Sequence, residues 1–143
     1  MGVFSSEEQD EIIHAINLAE AKTSGEIRVA VERKLKGDVM ERAQFFFNKL
    51  GMHDTVNKNG VLIYIAVDDH KFAIIGDIGI NQKVGNDFWN STKDLMVSYF
   101  RKNELVEGLI QGIYSAGKQL KTFFPVAEDD INELPNEIEF GDN

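Results

Sequence analysis

The sequence predicts a single-domain α/β protein in which a mixed β-sheet is sandwiched between helices on both faces. Three observations support this prediction. Helix-type and strand-type hydrophobic patterns follow each other along the chain, beginning with helix, strand, helix and strand. The segment 60–67 is apolar at both odd and even positions, which is typical of a strand covered on both faces. The 143 residues, 43% hydrophobic and 27% charged, are enough for one domain with a buried core.

The first four elements form a predicted strand–helix–strand unit preceded by a helix. A capping-box pattern at residues 5–9 begins the first helix, and Gly25 is expected to close it in the left-handed conformation. Apolar residues alternate with other side chains over 27–31, which predicts a half-buried strand. Asp38 is the expected cap of a second helix that Gly51 ends. The next strand, 60–67, should then run parallel to the first.

The second half of the chain is predicted to return along the sheet and then become helical. A turn at Asp68, Asp69 and His70 leads to an antiparallel strand over 71–75. The segment 76–80 leaves the sheet, and its two glycines suggest turns that a Cβ would obstruct. Helices are expected at about 87–100 and 104–124, with Pro125 ending the second one. The glycines of that helix, at positions 108, 112 and 117, should permit close helix packing.

Charge and composition exclude several classes of function. The chain has 15 basic and 24 acidic residues, a formal charge of −9, which argues against nucleic-acid binding. It has no cysteine, so disulfides, thiolate catalysis and Cys-ligated zinc are excluded. The sequence shows no secretory signal pattern, and its longest apolar run is far shorter than the roughly 20 residues of a membrane span. A soluble, cytoplasmic protein is therefore expected.

The acidic residues concentrate at the C-terminus. Residues 126–143 contain seven acidic and no basic side chains, so we expect a domain over 1–125 followed by an acidic tail over 126–143. This tail is either a solvated segment or an arm that binds a cation or a protein partner. Four apolar residues interrupt its acids and suggest that part of it docks on the domain: Ile131, Leu134, Ile138 and Phe140.

The candidate chemistry lies in oxygen ligands at the strand ends, because the sequence shows no nucleotide-binding loop, helical zinc motif or calcium-binding loop. The predicted topology brings one group to one end of the sheet: Gly25, Glu26, Asn59, Gly60 and Asp77, with Asp87 close by. The opposite end gathers a second group: Glu32, Asp68, Asp69 and His70. Either group could bind a hard divalent cation such as Ca²⁺ or Mg²⁺. Structural roles remain open alternatives: turn formation for Asp68 and Asp69, helix capping for Asp87, and solvent exposure for Glu26.

Four segments resemble the TPM domain family in sequence and order. They read TSGEIRV at 23–29, NGVLIYIA at 59–66, GDIGI at 76–80 and GLIQGI at 108–113. The family includes a thylakoid-lumen acid phosphatase and short soluble bacterial members. The resemblance covers about residues 5–125. It implies an α/β sandwich, binding of calcium or another divalent cation, and weak acid phosphatase activity in some relatives. The positions within or just after the matching segments that would carry this function are Glu26, Asn59, Asp77 and Asp87.

Three functional hypotheses follow. The first is a protein that binds Ca²⁺ or Mg²⁺ through carboxylates drawn from Glu26, Asp68, Asp69, Asp77 and Asp87. The second is metal-assisted hydrolysis of phosphomonoesters, with Asp77 or Asp87 as metal ligand or general base. The third is a non-catalytic module that binds a protein partner through the acidic tail.

Overall fold

Hydrophobic periodicity and capping residues set the secondary structure of the chain. The computed structural model describes residues 3–85, 87–126 and 136–141. Ser5 caps the first helix with a complete capping box, and the Asp38 carboxylate caps the second helix by accepting two backbone N–H groups. The elements are α1 (Ser6–Glu20), β1 (Glu26–Glu32), α2 (Val39–Lys49), β2 (Gly60–Ala66), β3 (Lys71–Gly76), α3 (Ile78–Asn81), α4 (Asn90–Phe100), α5 (Leu105–Phe123) and β4 (Glu139–Phe140).

The described strands form one mixed sheet in the order β3–β2–β1–β4. β1 runs parallel to β2 and to β4, whereas β2 and β3 form an antiparallel pair. The predicted mixed α/β architecture is therefore confirmed. The register places Glu26 beside Gly60, and Val61 beside Gly76. The start of β1, the start of β2 and the end of β3 thus share one end of the sheet.

Each face of the sheet has its own hydrophobic core, because successive side chains of a strand point to opposite faces. The odd-numbered residues of β1 and β2 pack in a first cluster with α1, α4 and α5. Their even-numbered apolar residues pack in a second cluster with α2. This arrangement confirms that helices cover both faces and explains why segment 60–67 is apolar at every position.

The glycines of α5 permit close helix contacts, as predicted. A Cβ built on Gly112 would lie 2.5 Å from the Met96 sulfur of α4, and one built on Gly117 would lie 2.8 Å from the Ala19 Cβ of α1. These distances are shorter than van der Waals contact. The small residues therefore let α5 pack tightly against α1 and α4.

Three local features differ from the sequence predictions. Gly25 does not take the left-handed conformation; Ala21 is the C-cap of α1, and a Cβ at Gly25 would lie 2.9 Å from the Leu120 side chain. Gly25 thus serves close packing rather than helix closure. Helix α4 begins at Asn90, so Asp87 lies in the preceding turn and does not cap it. The short helix α3, capped by Asp77, was not predicted.

The described part of the C-terminal segment lies against the sheet. β4 pairs with β1 through Glu139 and Phe140, and Ile138 and Phe140 pack against the first core cluster. The Phe140 ring meets Phe4 edge-on, with ring centroids 6.3 Å apart. Ile131 and Leu134 lie outside the described residues, so the proposed division at residue 125 and the docking of those two side chains stay predictions.

Candidate functional site

The backbones of four residues of the predicted group meet at one end of the sheet. The Asp77 N–H donates to the Gly60 carbonyl oxygen at 2.9 Å, and the Glu26 N–H donates to the Asn59 carbonyl oxygen at 3.4 Å. Neighbouring strands lie about 4.8 Å apart, so Glu26 and Asp77 flank Gly60 at a distance of roughly two strand spacings. The strand ends therefore gather as the sequence predicted.

The side chains of these residues do not point toward a common centre. Glu26 and Asp77 follow the parity of the strand residues that face α2, whereas Asn59 follows the parity that faces α1 and α5. The space over Gly60, between Glu26 and Asp77, holds the buried Met52. A Cβ at Gly60 would lie 3.0 Å from the Met52 carbonyl oxygen and 3.3 Å from its Cε. Met52 thus separates the two carboxylates.

At this end of the sheet, the contacts of Asp77 are the best defined among the acidic residues. Its side chain is only 2% exposed. Oδ1 accepts the N–H of Ile78 at 2.7 Å and lies 2.9 Å from Nδ1 of His53. Oδ2 is buried and has no hydrogen-bond partner among the residues that the structure describes. A buried carboxylate oxygen without a donor is costly, so this oxygen marks a point where a cation or donor would bind favourably.

His53 links Asp77 to the loop after α2. Its Nε2 lies 3.2 Å from Oδ1 of Asn48, and its ring packs edge-on against Phe47 with centroids 4.7 Å apart. The Lys58 ammonium donates to the His53 carbonyl oxygen. The His53 side chain is 53% exposed, so solvent reaches a ring that a buried carboxylate orients. No role was predicted for His53, because only the three-dimensional contact with Asp77 reveals one.

Asn59 carries a second buried oxygen on the other face of the sheet. Its Nδ2 donates to the Ser24 hydroxyl at 3.3 Å, and its backbone N–H donates to the Thr55 hydroxyl at 3.3 Å. Within the described parts of the chain, its Oδ1 has no hydrogen-bond partner. A cleft of about 350 Å³ opens nearby, with Ser24 and Lys83 on its wall. Strand parity places the Asn59 side chain on the opposite face of the sheet from Asp77.

At the opposite end of the sheet, Glu32 and Asp69 hold other parts of the fold in place. Glu32 is fully buried; its two oxygens accept from Nε and Nη2 of Arg42, each at 2.8 Å, and one of them also accepts the Tyr64 hydroxyl at 2.8 Å. Burial raises the pKa of Glu32, but the Arg42 and Tyr64 hydrogen bonds outweigh burial and hold the pKa below its ordinary value. Asp69 accepts the Leu35 N–H at 2.5 Å. The expected turn role fits Asp69, whose carboxylate holds a neighbouring loop.

Two acidic side chains, Glu20 and Glu26, lie together at the edge of β1. The sequence analysis predicted Glu26 as a site residue but not Glu20. Glu20 accepts the Ile27 N–H at 2.7 Å, and its side chain is hydrogen-bonded to that of Glu26. Burial, followed by the charge of Glu26, raises the pKa of Glu20 to about 8. Glu26 itself is buried, 2% exposed, and does not face solvent. Burial lowers the pKa of the nearby Arg28, whose Nη2 donates to the Glu137 carbonyl oxygen at 3.3 Å.

The remaining candidate, Asp87, lies in the turn at 87–89, on the wall of an open cleft beside Lys83 and Phe123. Across residues 3–85, 87–126 and 136–141, no three or more His, Asp or Glu side chains are grouped so that they could hold a metal ion. The proposed ligands Glu26, Asp77 and Asp87 therefore do not form one carboxylate cluster there. Metal binding by the candidate residues stays a prediction.

Comparison with known proteins identifies the family. The TPM domain matches residues 1–119. The NMR structure of the BA42 protein from the psychrophilic bacterium Bizionia argentinensis is 45% identical, with a TM-score of 0.92 and coverage of 97% of this chain and 96% of that one. A search of curated proteins gives no match. The predicted resemblance is confirmed, and the chain belongs to the TPM domain family.

Two further solved structures share the fold at low sequence identity. The N-terminal domain of a Corynebacterium glutamicum protein is 16% identical, with a TM-score of 0.66 and coverage of 82% of this chain and 74% of that one. The N-terminal domain of a P. gingivalis protein is also 16% identical, with a TM-score of 0.69 and coverage of 86% and 80%. None of the helices in the described segments is long and apolar enough to cross a membrane.

Proposed function

We propose that this TPM-domain protein binds a divalent cation, Ca²⁺ or Mg²⁺, through the Asp77 carboxylate at the end of β3. The observation that supports the proposal is the buried Oδ2 of Asp77, which has no hydrogen-bond partner among the described residues. A cation beside this oxygen would offset the cost of burying part of a carboxylate without a donor. The oxygen chemistry suits both ions, which prefer carboxylate, carbonyl and water ligands.

Backbone carbonyl groups near Asp77 add to this support. Gly79 lies so close to the carbonyl oxygens of Asn57 and Lys58 that a Cβ there would approach each within 3.0 Å. The Lys58 oxygen accepts the Gly79 N–H at 2.8 Å, and a carbonyl oxygen has a second lone pair. The loop before β2 therefore places two carbonyl oxygens beside Gly79, which lies two residues after Asp77 in the chain.

The small number of protein ligands sets the expected affinity. Asp77 would be the single carboxylate from the described residues of this site, and water would complete the coordination. Mg²⁺ is commonly held by one or two carboxylates with several waters, and weak calcium sites have dissociation constants of about 10⁻⁴–10⁻³ M. We therefore expect binding in the submillimolar to millimolar range, with both ions competing for the site.

A titration followed by amide chemical shifts tests the proposal. Addition of CaCl₂ or MgCl₂ should produce saturable shifts at His53, Ile78 and Gly79. The Asp77→Asn variant should bind at least about tenfold more weakly, because it loses the charge of the ligand. Asp94→Asn, a matched variant at an exposed position of α4, should bind like the parent chain. The absence of a saturable response at millimolar metal, or unchanged binding by Asp77→Asn, contradicts the proposal.

Two further variants test the wider set of predicted ligands. Glu26→Gln and Asp87→Asn should leave cation affinity within about twofold of the parent value, since Met52 separates Glu26 from Asp77 and Asp87 lies in a different turn. A large loss in either variant would instead favour the carboxylate group predicted from sequence. Asp68→Asn and Asp69→Asn extend the same comparison to the opposite end of the sheet.

The His53–Asp77 contact favours a second candidate function, metal-dependent hydrolysis of phosphomonoesters. A half-exposed histidine that a buried carboxylate orients is suited to general acid or base chemistry once its second ring nitrogen leaves Oδ1 of Asn48. A bound divalent cation would polarise the phosphoryl group. His53→Gln and Asp77→Asn should each abolish cation-dependent hydrolysis of p-nitrophenyl phosphate. Activity that survives in both variants would come from neither residue and would point to a contaminating enzyme.

A further inference from the structure

An apolar cavity lies at the opposite end of the sheet from Asp77. It has a volume of about 310 Å³ and opens between the β2–β3 turn and the connection from α4 to α5. The Phe72 and Phe100 rings meet edge-on in its wall, with centroids 5.3 Å apart. The apolar part of the lining consists of Ile65, Val67, Phe72, Val97, Phe100 and Leu105. The cavity is therefore a concave hydrophobic surface of the kind that binds small organic molecules.

The polar residues that line this cavity are basic or neutral. They are His70, Lys71, Arg101 and Asn103, and the described lining contains no acidic residue. Two basic side chains, Lys71 and Arg101, line one cavity of a chain whose formal charge is −9. The Asp69 carboxylate is held away by its hydrogen bond to the Leu35 N–H. Glu104 lines a neighbouring cleft with Glu8 and Glu11.

We propose that this cavity binds an amphipathic carboxylate, with its alkyl chain among the apolar residues and its carboxylate beside Lys71 and Arg101. The volume corresponds to about ten water-sized groups, at roughly 30 Å³ each. Octanoate, with about ten non-hydrogen atoms, matches this size. A carboxylate recognises lysine and arginine through charge-assisted hydrogen bonds. The inference is independent of cation binding, because it uses none of the residues near Asp77.

A titration with sodium octanoate tests the size and charge of the occupant together. Saturable amide shifts should appear at Lys71, Phe72 and Arg101 and be absent at Asp77. Octylammonium has a chain of the same length and the opposite charge, so it should bind at least about tenfold more weakly. Acetate has the charge without the chain and should give no saturable shift. Equal binding of octanoate and octylammonium, or no saturation with octanoate up to about 10 mM, overturns the proposal.

Variants assign the binding to this cavity. Lys71→Gln and Arg101→Gln should each weaken octanoate binding about threefold, and the double variant about tenfold. Lys118→Gln is the control. Lys118 is exposed on α5, about 20 Å along the helix from the cavity residue Leu105, so this variant should bind octanoate like the parent chain. Val97→Trp should abolish binding by filling the cavity. If that variant does not fold, as judged by its circular dichroism spectrum, the glutamine variants decide. Unchanged affinity in the Lys71→Gln/Arg101→Gln double variant overturns the proposal.

Discussion

Glu20 is held in an environment that favours its protonated form, and replacing it by glutamine tests this directly. The side chain accepts the Ile27 N–H at 2.7 Å and is hydrogen-bonded to the Glu26 side chain. Two carboxylates can share such a hydrogen bond only when one of them carries a proton. In Glu20→Gln, the amide oxygen can accept the Ile27 N–H while the amide nitrogen donates to Glu26. The variant thus reproduces the protonated state at every pH.

The raised pKa of Glu20 determines how the stability of the fold changes with pH. Because the folded-state pKa of Glu20 is about 8 and its ordinary value is 4.5, the contribution to stability is complete below pH 4.5. It is lost as the pH rises toward and through 8. Each pKa unit corresponds to about 1.4 kcal/mol, so the upper limit of the loss is about 5 kcal/mol. Partial contact with solvent and the nearby Arg28 guanidinium reduce this, and we expect about 2–3 kcal/mol.

Urea unfolding between pH 4 and pH 9 measures this loss. The parent chain should lose stability across this range, and Glu20→Gln should gain about 2–3 kcal/mol relative to the parent at pH 9 while matching it at pH 4. The other charged groups near the pair, Arg28, Glu137 and Glu139, are unchanged in both proteins and cancel in the comparison. Glu11→Gln, at an exposed position of the same helix, is the control. A difference between variant and parent that does not change with pH would refute the reasoning.

Two substitutions test the packing and electrostatics elsewhere in the fold. In urea unfolding, Gly79→Ala should destabilise the protein by about 2–3 kcal/mol, because its Cβ would collide with the carbonyl oxygens of the loop before β2. Gly85→Ala is the control: no described atom lies within 4 Å of its Cβ, so stability should change by less than about 0.5 kcal/mol. Arg42→Met should cost about 3–5 kcal/mol near pH 7, because it leaves the buried Glu32 carboxylate without its cationic partner. Arg42→Met should also recover stability relative to the parent at low pH, because the depressed pKa of Glu32 makes the parent lose stability as the pH falls.

Much of the fold could be predicted because local patterns and core packing agree. The doubly apolar β2 specifies a sheet with helices on both faces, and the capping signals at Ser5 and Asp38 begin α1 and α2 as expected. The half-buried strand predicted from the alternation in β1 is wrong, because β1 is buried at every position and its polar side chains have partners in the fold. The role of Gly25 could not be read this way. A glycine after a helix pattern predicts a left-handed cap, but here Leu120, far along the chain, lies where a Cβ of residue 25 would be.

The chemistry of the candidate site was less predictable, since it depends on contacts between distant segments. His53 lies in a polar loop, 24 residues before Asp77, and no spacing rule connects the two. Glu20 lies at the end of an amphipathic helix, where a charged residue normally faces solvent. Its contact with Glu26 exists because α1 ends beside the edge of β1. The sequence shows which residues are polar, but it does not show which of them contact each other in the folded protein.

The pairing of the strands and the packing of Met52 determine how Glu26 and Asp77 lie at this end of the sheet. Parallel pairing places Glu26 beside Gly60, and the β3 return places Asp77 on its other side. Met52 fills the space between them over Gly60. We therefore expect that a cation bound to Asp77 would take its other oxygens from the loop before β2 and from water.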